Sequence, residues 1–237
     1  FPQNSDRVVK QKKASIRVII GNPPYSRGQE DGNDDAQNQR YPKLEKRISE
    51  TYAFQNNATL SRDLYNSYIK AFRWSADRLK DNEGGVIAFI SGSGWLDKNA
   101  YAGFRKALEN EFTSIYVFNL KGDIRGRSKE SAKREGQNIF DIITGVTLTF
   151  LVKKPEISEK ASIEYAQIDD YMKRSDKLLY LQKVKSLTNT CLQSIYPNPE
   201  GDWINKRSEY FDTLIRFAPE KKFDIKSNSI FVTYAVG

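Results

Sequence analysis

Short apolar runs alternate along the chain with stretches whose apolar residues recur at helical spacing. Ser15 to Gly21 (SIRVIIG) is a β-branched run closed by Gly21 and then Pro23-Pro24, the pattern of a buried strand that stops abruptly. The segment after it, with Glu30, Asp31, Asp34 and Asp35 among Gly, Asn and Gln, reads as a polar loop. From Ser61, the positions Leu64, Tyr68, Ala71, Phe72, Ser75 and Leu79 fall on one helical face, with Ser61 placed to cap and Asp63 in the first turn. Val86 to Ile90 (VIAFI) is a continuous apolar run, as a strand covered on both faces requires. Asp97 is placed to cap a second helix carrying Tyr101, Phe104, Leu108 and Phe112 on one face, and Ile115 to Leu120 reads as the next strand. A charged loop follows, then strand-like runs at Gly145 to Lys153 and Ser162 to Ile168 and a helix near Asp176 to Leu187. Beyond Asn198 the pattern fades until the strand-like Ile230 to Val236.

Strands alternating with helices predict an α/β sheet, whose ligands bind in crevices at the C-terminal strand edges. The one visible boundary is near Lys154-Pro155, which divides the chain into 1–155 and a mostly helical extension over 156–237. A length of 237 residues with 38% hydrophobic and 12% aromatic content supports a folded core. Lys and Arg outnumber Asp and Glu by 38 to 30, a net charge of +8 that favours a polyanionic partner or simply solubility. With one cysteine, Cys191, and no histidine, an internal disulfide, a zinc site and histidine-based nucleophilic schemes are all excluded within this chain. No run approaches the ~20 apolar residues of a membrane helix, and no secretory signal opens the chain, so the expected setting is cytoplasmic, with no membrane partner and no metal. Phe1 and the strand-like end at Gly237 give the chain the look of a piece of something longer.

Asn22-Pro23-Pro24-Tyr25 is the motif that bears chemistry. Prolines lack N–H groups and are fixed in φ, so this turn is stiff and shows mainly carbonyl acceptors. The Asn22 side-chain oxygen and the Pro23 carbonyl together suit both hydrogens of a planar amine, while the Tyr25 ring suits a flat base. An aromatic amine is a weak nucleophile because its lone pair is spread into the ring. Two acceptors that draw its N–H bonds out of plane return that lone pair to the nitrogen. A plain proline turn at a strand end is the alternative.

Ile20-Gly21-Asn22-Pro23-Pro24-Tyr25 resembles the signature of amino-methyltransferases that modify the exocyclic N6 of adenine in DNA. Asp63-Leu64-Tyr65, Gly84 to Ile90 and Asn138-Ile139-Phe140 before the run Gly145 to Lys153 extend the likeness over Ser15 to Lys154, in the gamma-type motif order. It is similar in particular to the methyltransferase part of Type ISP restriction-modification enzymes, through Asn119 to Phe140, Asp202-Trp203-Ile204-Asn205 and Ile230 to Gly237. The resemblance implies the C-terminal half of a Rossmann-like methyltransferase sheet with a reversed last strand, a flipped adenine as target and S-adenosylmethionine as methyl donor. It also implies duplex DNA and the remainder of a larger restriction-modification polypeptide as partners, and an aromatic beside the base at Phe140, for which an ordinary core phenylalanine is the alternative. The family's glycine-rich loop and ribose-binding acid do not appear ahead of Asn22, where too few residues stand for a βαβ unit of about 30. Cofactor contacts are therefore expected mostly from sequence outside this chain, which alone should be inactive.

Between Lys121 and Gly136, Arg125, Arg127, Lys129, Lys133 and Arg134 are candidates for phosphate contact, against a solvated loop with internal ion pairs. A glutamine amide in a protein, or adenine in RNA, also presents a planar NH₂ and is the alternative substrate. A DNA-binding or specificity fragment without turnover is the non-catalytic alternative.

Overall fold

The computed structural model describes residues 2–25, 41–55, 62–81, 83–155, 160–204, 210, 213–215, 217–219 and 228–233. Six strands, β1 (Val18–Gly21), β2 (Gly85–Gly92), β3 (Ser114–Asn119), β4 (Val146–Lys153), β5 (Ser162–Gln167) and β6 (Gln193–Ser194), form one sheet in the order β1-β2-β4-β3-β5-β6. β1, β2, β3 and β5 run the same way, whereas β4 lies antiparallel between β2 and β3. This is the reversed strand that the resemblance implied. The helices are α1 (Pro2–Lys13), α2 (Pro42–Ile48), α3 (Ser67–Arg78), α4 (Ala102–Glu111), α5 (Lys129–Glu135) and α6 (Arg174–Val184).

Alternation along the strands sorts side chains onto two faces, because successive residues in a strand point opposite ways. Ile87, Phe89, Ile115, Val117, Leu151 and Ile163 pack with Phe72, Phe104 and Trp95 in one buried cluster. Phe118, Val146 and Ala166 pack on the other side, where Tyr180 and Leu181 of α6 meet them. The apolar run of β2 is unevenly covered: Ile87 and Phe89 are buried, while Val86, Ala88 and Ile90 are half-buried. The neighbouring edge residues Val18 and Ile20 are exposed.

Three expectations are corrected here. The helix read from Ser61 begins later: Arg62–Tyr65 is a 3-10 turn, and Asn66 stands at the N-cap of α3, while Ser61 itself lies outside the described residues. Asp97 does not cap α4, which follows a 3-10 turn over Asn99–Tyr101. The boundary near Lys154-Pro155 falls inside the sheet, because β5 continues it alongside β3 and the compact unit runs to Ile204.

The last turn of this unit is held by a buried cation. Arg105 on α4 donates from Nε to the Gly201 carbonyl at 2.6 Å and from Nη1 to the Trp95 and Lys98 carbonyls at 2.7 and 2.9 Å. Its Nη2 meets Asp202 Oδ1 at 3.2 Å. Trp203 buries its ring against Trp95 and donates its indole N–H to Glu109 at 2.7 Å. The Asp202-Trp203 pair is thus a strap that ties the segment after β2 to the end of the unit. In residues 205–237, a separate unit, the Phe231 N–H donates to the Phe217 carbonyl at 3.0 Å and the two rings meet edge-on.

Removing one member of a buried ion pair strands the other charge, at a cost of about 3–5 kcal/mol. Arg105→Met should lower the unfolding free energy by about that amount in urea denaturation. An unchanged midpoint would mean that the strap does not contribute to stability.

Candidate active site

β1 delivers the motif to the C-terminal edge of the sheet. Gly21 ends the strand against the Phe89 ring, where a Cβ would come within 3.1 Å of Phe89 Cε1, so the turn starts flush with β2. Pro23 is buried and Asn22 and Pro24 are exposed, which leaves the Asn22 carboxamide at the surface on a fixed base. The Tyr25 hydroxyl donates to Asn22 Oδ1 at 3.0 Å. One lone pair of that oxygen is thereby used and the other remains available to a donor.

Tyr25 packs against both core clusters, so its ring is positioned from either side of the sheet. It meets Tyr68 of α3 edge-on, with centroids 6.5 Å apart and planes at 88°. The buried Tyr68 hydroxyl donates in turn to the Tyr101 hydroxyl at 2.9 Å. These three rings line a pocket with Asp63 and Asn66 from the turn before α3, Gly94 and Lys98 after β2, Asp123 and Arg125 after β3, and Thr144 ahead of β4. Loops following three co-directional strands meet here, the crevice in which α/β sheets bind ligands.

Two buried devices hold the loops together. Gly145 sits where any side chain would strike Ser93 Oγ and the Asp123 backbone, and its carbonyl accepts the Ser93 N–H at 2.8 Å. Asn138 donates from Nδ2 to the Gly122 and Thr144 carbonyls at 3.2 and 2.7 Å, and its Oδ1 accepts the Phe140 N–H at 2.8 Å. Phe140 itself is 42% exposed, which an ordinary core phenylalanine would not be, and it lies outside the lining of the Tyr25 pocket.

The candidate phosphate contacts separate into two kinds. Lys129, Lys133 and Arg134 are exposed on α5, whose start is capped by Ser128 accepting from Ser131 N–H. Arg125 is exposed and lines the pocket. Arg127 instead points inward, with Nη2 at 3.3 Å from Asp123, 3.5 Å from Glu135 and 3.8 Å from Asp97. Its charge faces Asp123 and Glu135 within the loop and Asp97 after β2, an arrangement of the kind the ion-pair alternative describes. Burial pushes the Asp97 carboxyl above its ordinary range, and the Arg127 charge opposes that shift. Among the described residues, no cluster of His, Cys, Asp and Glu has the makings of a metal site, and no helix is long and apolar enough to cross a membrane.

Lys98, Asn66, Tyr68 and Tyr101 escape a reading of the sequence because each looks like ordinary surface or core. Only the convergence of their loops marks them. Burial pushes the Tyr25 phenol up to about 12, above the ordinary value of 10.0. A raised value means that the neutral hydroxyl is favoured by folding: its contribution is complete below pH 10 and is lost as pH rises through about 12. In an absorbance titration of the folded protein, Tyr25→Phe should remove a phenol that ionises near pH 12. Loss of an ordinary phenol would show Tyr25 to be solvated.

The Eco57I restriction-modification methylase family matches residues 1–124. Among solved structures, the ATP-dependent Type ISP restriction-modification enzyme LlaBIII bound to DNA is 42% identical over 98% of this chain and 15% of its own, with a TM-score of 0.88. A nuclease-deletion mutant of the Type ISP enzyme LlaGI in complex with a DNA substrate mimic is 36% identical over 92% of this chain and 21% of its own, with a TM-score of 0.83. The DrdV–DNA complex is 32% identical over 98% of this chain and 23% of its own, with a TM-score of 0.84. No curated protein gives a significant match. The chain therefore spans less than a quarter of the length of these structures. With more than half of its residues matched by one family model, the chain belongs to the Eco57I restriction-modification methylase family.

Proposed function

We propose that this chain forms the target-base side of a DNA methyltransferase that modifies the N6 amine of adenine within a restriction-modification polypeptide. The observation that carries this reading is the exposed Asn22 carboxamide, tethered by a Tyr25 that also lines an aromatic pocket at the sheet edge. The three DNA-bound relatives support DNA as the partner and a longer polypeptide as the context; duplex DNA as the substrate and a cytoplasmic setting belong to the proposal itself.

S-adenosylmethionine supplies an electrophilic methyl group when bound. The Asn22 Oδ1 and Pro23 carbonyl oxygens are compatible with a cationic sulfonium beside them, whereas no described residue offers the glycine-rich loop or ribose-binding acid that would hold the cofactor. Those contacts are assigned to other parts of the polypeptide. The chain's own residues act on the base. Adenine leaves the duplex at a cost of a few kcal/mol, and stacking on an aromatic ring returns roughly 1–3 kcal/mol. Tyr25 is the proposed ring; Phe140, exposed just ahead of the reversed strand, is outside the pocket lining and serves the base only if the base reaches beyond that pocket.

At the turn that leads into Tyr25, the free lone pair of Asn22 Oδ1 accepts one N6 hydrogen and the Pro23 carbonyl accepts the other. The nitrogen lone pair then points along the line of attack. With a methyl donor held in line by other parts of the polypeptide, that lone pair would form the new bond to carbon as the carbon–sulfur bond broke, and the amine would give up one proton to water. Alignment of this kind is worth about 7–11 kcal/mol, against about 1–3 kcal/mol for each hydrogen bond. A displaced Asn22 therefore harms the rate more through geometry than through the lost bond.

In the intact polypeptide carrying this chain, Asn22→Ala should reduce labelled methyl incorporation into DNA adenine by about a hundredfold or more while leaving the thermal unfolding midpoint unchanged. Undiminished incorporation would defeat the assignment. So would a label found on protein glutamine or RNA in place of DNA adenine.

A further inference from the structure

An extruded base remains attached to two backbone phosphates, so a pocket that receives it must also tolerate those charges at its rim. Among the cations of this region only Lys98 and Arg125 line the Tyr25 pocket. They come from different loops, Lys98 from the segment after β2 and Arg125 from the segment after β3, and both are exposed. Among the described residues neither takes part in an ion pair. Lys98 lies back over Gly94, where a Cβ would come within 3.3 Å of its Nζ, so the ammonium sits beside another residue of the pocket lining.

The nearby acids offset only part of this charge: the Lys98 ammonium, like Arg127, favours the charged form of Asp97, and Asp63 shares the pocket lining. Asp123, which shares the pocket lining, is already matched by Arg127 at 3.3 Å, and Glu135 and Asp97 share the same guanidinium at 3.5 and 3.8 Å. Asp63, the remaining carboxylate of the lining, belongs to the turn before α3. Arg127, one cation facing three carboxylates, is thus spent inward, and Arg125 two positions away is an exposed charge of the same loop.

We infer that Lys98 and Arg125 form a clamp for the backbone phosphates that flank the extruded nucleotide, with Arg127 as the internal support of the loop and not a DNA contact. The inference rests on the proposed function, since it takes the pocket to be where the base is received. It assigns a DNA-contacting role to Lys98, which the charge pattern of the 121–136 loop does not reach. It also removes Arg127 from the contacts that this pattern contains.

The test is duplex binding by the intact polypeptide, followed by fluorescence anisotropy across a salt series. Each phosphate contact contributes about 0.9 to the slope of log affinity against log salt. Lys98→Gln/Arg125→Gln should flatten that slope by about 1.8, so that between about 50 and 200 mM salt the variant loses about twelvefold less affinity than the parent. Arg127→Gln should leave the slope unchanged and lower the thermal midpoint. A parental slope in the double variant, or a flattened one in Arg127→Gln, would overturn the assignment. The double exchange Lys129→Gln/Lys133→Gln, on the exposed face of α5, is the same-charge control, and an equal flattening there would also overturn it. Failure of the clamp remains distinct from failure of the proposed function: the first leaves adenine methylation by the parent intact, and the second abolishes it from the account while the salt slopes stand.

Discussion

A strand that ends on two consecutive prolines presents carbonyl oxygens with no amide hydrogens beside them, and the site is organised around keeping that corner rigid and reachable. Gly21 lets β1 stop flush against Phe89, the buried Pro23 anchors the turn, and the Tyr25 hydroxyl holds the Asn22 oxygen. Tyr25 reaches both core clusters, so the position of the acceptors is set by the packing of the whole sheet. An isolated Asn-Pro-Pro-Tyr turn would have the same chemistry without that fixed address.

The remaining loops are brought to the corner by the reversed strand. Because β4 runs antiparallel between β2 and β3, its beginning lies beside their ends. Gly145 and Asn138 exploit this closeness, the first by having no side chain and the second by bridging two loop carbonyls. Behind the pocket, Arg105 and Asp202 secure the turn that carries Gly94 and Lys98. The sequence Asp202-Trp203 is thus explained as a structural strap, whereas the role of Asn22 to Tyr25 belongs to the proposed function.

Much of the sheet was legible because its strands are uninterrupted apolar runs: Val86 to Ile90, Ile115 to Leu120 and Gly145 to Lys153 each became a strand within a residue or two. The amphipathic α3 was legible too, although its start was read too early because Leu64 keeps the helical phase while sitting in a 3-10 turn. α5 was not legible, since it buries no residue and depends on a Ser128 cap, so its charges looked like loop. Arg127 and Arg125 are alike as sequence but differ in orientation, and only coordinates show that one faces three carboxylates and the other the pocket. The boundary near Lys154-Pro155 misled because charge and proline can also mark a strand end within a sheet that then continues.

The most direct measurement is a structure of the intact polypeptide bound to duplex DNA containing its target adenine. The account requires the N6 atom to lie within about 2.7–3.2 Å of both Asn22 Oδ1 and the Pro23 carbonyl oxygen, with the adenine ring against Tyr25. An adenine held elsewhere, with N6 beyond reach of that corner, would contradict it.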